Sequence, residues 1–348
     1  MPVCASHLSD VQIATQLEDL AAARDQWREL WSVCPGATPF QSPDWLIPWW
    51  RHIGEGQLLA IMVWAGEELV GAAPFYIYQS VPAKARQCLL LGSGNSDYLG
   101  IVAKPGYEQQ VNERIAASLR EKSNGFDFLD LQELTHGAWP DGAHIPWLRI
   151  NRRTEQSICL VLDISAGALD DIVPAQMAKQ YRYARRRTAR DFEFEIVAAS
   201  PDTLSQHLDT LFDLHGRRWR SQGQTGVLAD ESMEKFHREA SENFCAGGLL
   251  RLYTLQLNGR PAASLYGFAH NQKTYFYLGG MNPDFAKHSP GMILVGHAIE
   301  TAIAEGHREF DFLRGQEDYK YKWGARERSN VSLKLTPSGS THQTEGKQ

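Results

Sequence analysis

Two stretches of the chain show the same order of apolar runs and polar breaks. Leu58–Val63 and Leu69–Tyr78 are the apolar runs of the first stretch, and Leu249–Leu257 and Ala262–His270 are those of the second. A short polar segment with a glycine separates the two runs of each pair. Aliphatic, β-branched and aromatic runs on either side of a glycine turn are typical of β-hairpins. The pattern therefore predicts one hairpin in each half of the chain.

The elements predicted around the two hairpins also follow one order. Helices precede each hairpin, and a strand, a glycine-containing loop, a helix and a last strand follow it. The predicted helices are Ala14–Ser32, Asp44–His52, Tyr107–Lys122, Asp202–Arg220, Asp230–Phe244 and Gly291–Glu305, and the further strands are Gln87–Leu91, Phe126–Leu129, Thr274–Leu278 and Phe310–Leu313. The last strand of each half reads Phe-Asp-Phe-Leu. The repeated order predicts an α+β fold of two similar halves, each a mixed, mainly antiparallel sheet flanked by helices.

A cluster of proline and glycine residues divides the two halves. Pro140, Gly142 and Pro146 lie just before the next predicted strand, Ser157–Asp163. Such clusters mark loops, so we expect the boundary near residues 140–155 and two domains, 1–150 and 151–335. Residues 336–348 are small and polar, and we expect a disordered tail there.

Composition narrows the class of protein. The 348 residues are 43% hydrophobic and 22% charged, as in folded globular proteins, and the formal net charge of −6 disfavours sequence-independent binding of nucleic acid. The five cysteines, at positions 4, 34, 88, 159 and 245, are scattered and form no CxxC, so we expect reduced thiols and no metal site. Neither a signal peptide nor a transmembrane segment is predicted, and the expected location is the cytoplasm.

Motifs near the C-terminus resemble those of a known group. The string Phe310-Asp311-Phe312-Leu313-Arg314-Gly315-Gln316-Glu317-Asp318-Tyr319-Lys320-Tyr321-Lys322-Trp323-Gly324 resembles the signature of the CelD/BcsL group of the GNAT superfamily, proteins associated with cellulose and exopolysaccharide biosynthesis. The strings at 289–292, 39–45 and 96–100 also fit that group. A lysine four residues before a glycine, as Lys320 is before Gly324, is similar to the tandem-GNAT FemABX transferases. The resemblance implies two tandem GNAT-like domains.

The resemblance also implies an activity. A GNAT-type acyltransferase moves an acyl group, here expected to be acetyl, from acyl-CoA to an amine or hydroxyl by direct attack. The acceptor would be a small or polysaccharide-related molecule. The implied donor-binding residues lie where a helix begins and its N–H groups face a pyrophosphate, namely His288, Ser289, Gly291 and Met292. The usual phosphate loop is Arg/Gln-x-x-Gly-x-Gly/Ala, and of its glycines only Gly291 is kept here.

Several side chains near this helix are candidates for the chemistry. Asp311 is a possible general base, or equally a structural carboxylate, and Tyr319 is a possible acid for the leaving thiolate, or a packed aromatic. Lys320 and Lys322 could each contact a phosphate or a developing negative charge, and their i, i+2 spacing places them on different faces of a helix, so we expect one of them to face the site. The match to the FemABX pattern favours Lys320. The predicted substrate-binding residues are Asp97, Tyr98, Arg314 and Glu317.

One segment, Lys179–Arg190, is strongly basic and contains interleaved tyrosines. It is either a solvated helix face or a patch for a phosphate-bearing ligand, a membrane surface or, less favoured, tRNA. Two other functions stay open at this point. One is a FemABX-like transferase that uses aminoacyl-tRNA, and the other is a non-catalytic component of a polysaccharide-synthesis assembly.

Overall fold

The structure of the protein is a computed structural model that describes residues 10–79, 84–135, 138, 145–221 and 230–338. The chain divides into two compact units. The first comprises residues 1–157 and 329–348, and the second comprises residues 158–328. The strand β7 (Leu148–Asp163) therefore begins in the first unit and ends in the second. The strand β13 (Arg326–Pro337) begins in the second unit and ends in the first.

The first unit has strands on one sheet and helices around it. Its strands, besides parts of β7 and β13, are β1 (Asp10–Ala14), β2 (Gln57–Ala65), β3 (Glu68–Gln79), β4 (Arg86–Leu90), β5 (Val102–Ala103) and β6 (Phe128–Leu134). Its helices are α1 (Leu17–Ala22), α2 (Arg24–Val33), α3 (Pro43–His52) and α4 (Glu108–Glu121). The strand order is β1-β2-β3-β4-β6-β13. Pairing is antiparallel along this order, except that β4 and β6 run parallel at Gln87–Phe128 and Cys88–Leu129.

The second unit repeats this plan. Its strands, besides the ends of β7 and β13, are β8 (Phe194–Ala198), β9 (Leu250–Leu257), β10 (Arg260–His270), β11 (Lys273–Met281) and β12 (Glu309–Arg314). Its helices are α5 (Leu169–Ile172), α6 (Ala175–Asp191), α7 (Leu204–Ser221), α8 (Glu231–Ala246), α9 (Pro290–Ala304) and α10 (Asp318–Lys322). The strand order is β7-β12-β11-β10-β9-β8, with β11 and β12 parallel and the other pairs antiparallel.

The predicted hairpins are confirmed, as are the mixed sheets with flanking helices. The turn of β9–β10 needs left-handed backbone at Asn258 and Gly259, with φ of 48° and 70°, which explains the Asn-Gly pair between the two apolar runs. The sequence missed β1 and β8, which are short and half-exposed edge strands. It also predicted one helix over 14–32 where the structure has β1, α1 and α2.

The two Phe-Asp-Phe-Leu strings do not occupy equivalent places, which corrects the sequence interpretation. Asp127 precedes β6, and its carboxylate accepts hydrogen bonds from the backbone and side chain of Arg86 at 2.8 and 3.0 Å. Asp311 lies inside β12 and is fully buried. The repeat is therefore one of element order and does not extend to this tetrapeptide.

The domain bounds expected from the sequence stay a prediction. The expected linker at 140–155 falls partly on residues outside the described ones, and β7 begins within it at Leu148. Of the expected tail, residues 336 and 337 belong to β13, and residues 339–348 lie outside the described part of the chain.

Candidate active site

The parallel strands β11 and β12 separate part of the way along their length. Their pairing covers Lys273–Glu309, Thr274–Phe310 and Tyr275–Asp311. Beyond that point β11 continues to Met281 and β12 to Arg314, but no further pairs join them in the described structure. The edge of β11 beyond Tyr275 therefore faces a gap where backbone amides are available to a ligand.

A β-bulge in β12 lies at the point of separation. On its other edge β12 pairs with β7, and the register shifts between Asp311, opposite Val161, and Arg314, opposite Cys159. Three steps along β12 thus face two along β7, so β12 carries one extra residue. Leu313 has a left-handed φ of 59°, which is unfavourable for a residue with a branched side chain. Bulges bend a strand and increase its twist, which turns β12 away from β11.

The carboxylate of Asp311 holds this bulge from within. Its Oδ1 accepts a hydrogen bond of 2.8 Å from the backbone N–H of Leu313. Its Oδ2 lies 3.7 Å from a guanidinium nitrogen of Arg328. Phe310 and Phe312 pack in the core of the second unit, on the opposite face of the strand, because side chains alternate between the two faces of a strand. The geometry is that of a carboxylate tied to the backbone, and the catalytic role of Asp311 stays a prediction.

The ammonium group of Lys320 holds the bulge from the outside. Lys320 is 3% exposed, and its Nζ donates to the carbonyl oxygens of Leu313, Arg314 and Gly315 at 3.4, 2.8 and 3.2 Å. The carboxylate of Glu317 lies 2.9 Å away. These four oxygens satisfy a cation that would be costly to bury alone. Glu317, predicted to bind substrate, thus neutralises Lys320, while Arg314 is exposed to solvent.

A cavity of about 490 Å³ lies beside the separated strands. Residues of β10, β11, α6, α9 and α10 line it, and its inner wall is apolar, with the buried side chains of Met177, Leu265, Leu294, Val295 and Trp323. Gly291, Met292 and Tyr319, all predicted from the sequence, lie on its wall.

Lys322 is the one charged side chain among the described residues that line this cavity. Lys320 and Lys322 therefore face different ways, as their spacing predicted, but it is Lys322 that reaches the cavity. The ring of Tyr319 packs edge-on against Phe312, with centroids 6.3 Å apart.

The start of α9 forms the rim of the cavity. Ser289 precedes the helix with a left-handed φ of 52°, and its side chain makes no capping hydrogen bond. Pro290 is the first helical residue, and a Cβ atom added to Gly291 would meet nothing within 4 Å. The first N–H groups of α9 thus remain open to a ligand. His288 packs edge-on against Phe192, with centroids 4.9 Å apart, and its Nε2 lies 3.4 Å from Asp191.

A second, smaller cavity of about 280 Å³ adjoins the first, because Gln180 and Met292 line both. Its walls bring the basic helix α6 next to the predicted phosphate-binding loop. Arg187 and Tyr183 contribute from α6, and Lys287, His288 and Ser289 contribute from the loop. The guanidinium of Arg187 also donates to the carbonyl of Lys287 at 3.3 Å, which joins the two elements.

Ion pairs neutralise part of the basic segment. Arg182 pairs with Asp170, Arg185 with Glu300 and Arg190 with Asp191. No ion pair involves Lys179 or Arg186 within the described ranges. Tyr183 is 60% exposed beside them. The segment is therefore a partly neutralised helix face, of which Arg187, 3.9 Å from Asp191, lines the second cavity.

Asp97 and Tyr98, the other predicted substrate residues, belong to the first unit. They are 6% and 1% exposed. The carbonyl of Asp97 accepts a hydrogen bond of 2.7 Å from the side chain of Asn330, and the ring of Tyr98 lies 6.4 Å from that of Phe40. The substrate-binding role of both residues stays a prediction.

The sequence analysis missed most of the apolar cavity wall. Met177, Leu265 and Val295 come from three elements that are far apart in sequence, and each reads as an ordinary core residue. Trp323 belongs to the string that carries the family resemblance, but its position alone does not indicate a cavity. Over the described part of the chain, no group of three or more His, Cys, Asp or Glu side chains is arranged to hold a metal ion. No described helix is long and apolar enough to cross a membrane.

Comparison with known proteins identifies the fold of this site. Residues 175–321 match the model of the acetyltransferase (GNAT) domain family. No curated protein matched the sequence of the chain. Among solved structures, FemX is similar with a TM-score of 0.66 and 9% identity over 93% of this chain and 97% of that one.

Two further structures share the fold. One is the C-terminal domain of a protein from Agrobacterium fabrum assigned as a lysylphosphatidylglycerol synthetase, with a TM-score of 0.60 and 11% identity over 92% of each chain. The other is a tandem GNAT protein from the clavulanic acid biosynthesis pathway, with a TM-score of 0.50 and 13% identity over 96% of this chain and 100% of that one. At these identities the likeness concerns the fold. The family match and the fold together confirm the prediction of a transferase with a GNAT domain, whereas membership of the CelD/BcsL group stays a prediction.

Proposed function

We propose that the protein transfers an acyl group from an acyl-CoA donor to an amine or hydroxyl of a small or polysaccharide-related acceptor. The observation that supports this most is that the two cavities are adjacent and share Gln180 and Met292 in their walls. An apolar cavity beside separated strands adjoins a pocket with Arg187, Lys287 and the open start of α9. A donor with an uncharged thioester arm and a pyrophosphate at its other end has the same division of polarity.

In this proposal the arm of the donor lies in the larger cavity. None of the described residues lining that cavity is acidic, and Lys322 at its rim is basic. The pyrophosphate lies in the smaller pocket, where the N–H groups of α9 and the positive end of the helix dipole favour negative charge. Gln180 and Met292 line both parts, and Gly291 lines the larger one. His288 and Ser289 form the wall on the phosphate side.

The reaction proposed is a direct attack on the thioester. The acceptor nitrogen or oxygen bonds to the carbonyl carbon, the C–S bond breaks, and CoA leaves as a thiolate. Unpaired amides on the edge of β11 beyond Tyr275 stabilise the oxyanion. Tyr319, on the cavity wall, donates a proton to the thiolate, the proton of the acceptor passes to solvent, and the phenolate of Tyr319 regains a proton from solvent. We also propose that the first unit is a second GNAT-like domain in which Asp97 and Tyr98 bind substrate, and that Arg314 and Glu317 bind substrate in the second unit.

Calorimetry of the purified protein with CoA, acetyl-CoA and longer acyl-CoAs tests the donor. We expect micromolar binding that weakens at least tenfold in a double variant, Arg187→Ala with Lys287→Ala. Lys235→Ala is the matched control, because Lys235 is an exposed lysine of α8 that pairs with Glu231. Absence of binding by every acyl-CoA would remove this donor assignment.

A second candidate donor is aminoacyl-tRNA. Lys179, Arg186 and the exposed Tyr183 on α6 present cations and an aromatic ring of the kind that binds RNA. FemX shares the fold, at 9% identity. Copurification of tRNA with the protein, together with the absence of acyl-CoA binding, would favour this donor.

A further inference from the structure

The bulge segment, which we define as Asp311–Gly315, is held in an unfavourable conformation by two side chains. Leu313 and Gly315 have positive φ angles of 59° and 111°. A left-handed conformation at a residue other than glycine costs on the order of 1–2 kcal/mol and persists only where the surroundings enforce it. Asp311 binds the N–H of Leu313, and Lys320 binds the three carbonyl oxygens that end the segment. Side chains thus bind both an N–H group and the carbonyl groups of the bulge segment.

The same contacts anchor α10. This helix has five residues, too few to be stable by itself. Lys320 is its buried residue, and its three hydrogen bonds tie the helix to the bulge segment. Tyr319 and Lys322, on either side of Lys320, line the larger cavity, as does Trp323 at the end of the helix. The position of that wall therefore depends on the bond between Lys320 and the bulge segment.

We propose that Asp311 and Lys320 are positioning residues for the larger cavity, in which the proposed function places the arm of the donor. Together they keep β12 turned away from β11 and hold α10 against the cavity. Asp311 acts through an oxygen that accepts the N–H of Leu313, and Lys320 acts through an ammonium that binds consecutive carbonyl groups. This inference rests on the proposed function for its link to the donor, but its structural part is testable without any donor.

Two pairs of variants test the proposal. Lys320→Met removes the ammonium group and keeps about the same side-chain length. Lys320→Arg keeps a positively charged group that can donate hydrogen bonds. Asp311→Ala removes the acceptor, and Asp311→Asn retains an oxygen that accepts the same N–H. Lys235→Met, on the exposed face of α8, is the matched control for the lysine substitution. Hydrogen exchange of residues 311–324 without ligand, and the affinity for CoA, are measured for each protein.

Lys320→Met and Asp311→Ala are expected to speed exchange across residues 313–323 at least tenfold and to weaken CoA binding at least tenfold. Asp311→Asn is expected to stay within threefold of the wild type in both measurements, and Lys320→Arg to recover part of the loss. Wild-type exchange and affinity in Lys320→Met would overturn the proposal. So would an Asp311→Asn protein that behaves like Asp311→Ala, because the charge and not the acceptor oxygen would then matter.

The design separates the possible failures. A purely structural role for Lys320 predicts a lower Tm with unchanged CoA affinity in the folded protein, and that result also overturns the proposal. If Lys320→Met does not fold, the comparison of Asp311→Ala with Asp311→Asn decides the question. If the wild-type protein does not bind CoA, the proposed donor fails, and the exchange measurements alone decide whether the two residues hold the bulge segment.

Discussion

Substitution of Gly291 by alanine separates the stability of the protein from binding of the donor. Gly291 lies in the first turn of α9, and a Cβ atom added there would meet nothing within 4 Å. Alanine is favoured over glycine in a helix by up to about 1 kcal/mol. We therefore expect Gly291→Ala to unfold at the same temperature as the wild type or a few degrees higher. The packing of the protein therefore does not require glycine at position 291.

The proposed donor uses that space. If the pyrophosphate approaches the first N–H groups of α9, an added methyl group must displace it, and a tenfold loss of CoA affinity corresponds to about 1.4 kcal/mol. Calorimetry with CoA measures the loss, and thermal unfolding measures the stability. Unchanged CoA affinity in Gly291→Ala would refute the placement of the phosphates at this helix start.

A matched glycine in the same helix gives the control. A Cβ atom added to Gly296 would overlap the ring of Tyr181, which packs from α6. Gly296→Ala is therefore expected to lower the unfolding temperature, by overpacking that costs about 1–3 kcal/mol. The two Gly→Ala variants thus have opposite signatures. The first loses affinity and keeps stability, and the second loses stability.

Three further predictions concern ionisable side chains. Tyr319→Phe should lower kcat about 10²-fold or more with little change in KM, in a steady-state assay, if the phenol protonates the thiolate. Burial raises the pKa of the Asp44 carboxyl, but hydrogen bonds from Arg28 and Arg24 outweigh it and hold that pKa below its usual value. The stabilisation by Asp44 is present above the pKa of the carboxyl in the unfolded chain and is lost as the pH falls through its pKa in the folded protein. Asp44→Asn should therefore lower the free energy of unfolding by about 2 kcal/mol at pH 7. Denaturant titrations should show a smaller difference between Asp44→Asn and the wild type at pH 3. Burial, with a smaller contribution from nearby His215, lowers the pKa of His237 to about 3. Protonation therefore favours the unfolded chain below pH 6.5, and acidification from pH 7 to pH 5 should cost about 2 kcal/mol, a loss that His237→Phe should reduce.

Much of the fold was predictable because it follows from local patterns. The hairpin of β9 and β10 was visible in two apolar runs with Asn258-Gly259 between them. The edge strand β8 was missed because its burial is partial along its whole length. Periodicity is informative where one face is clearly buried and the other is clearly exposed.

The chemistry of the site was less predictable, for a different reason. Lys320 and Asp311 stood out as polar residues in a family-like string, and that pattern suits both a reacting group and a group that binds backbone. Only the structure shows that both groups bind backbone, through the distances from Lys320 Nζ to three carbonyl oxygens and from Asp311 to the N–H of Leu313. The bulge segment itself has no glycine at Leu313 to mark it in the sequence.

The path of β13 has a consequence for synthesis on the ribosome. Residues from Ser329 onward belong to the first unit, where Val331, Leu333 and Leu335 are buried in its core and pair with β6. The core of the first unit therefore stays incomplete until residues 331–335 have been translated, whereas residues 158–328 emerge earlier and make up the second unit. A fragment that ends at residue 157 lacks the part of β13 that pairs with β6. Dissection of this protein into separately expressed halves should therefore keep residues 158–328 together and supply the strand 329–338 to the remainder, for example by circular permutation.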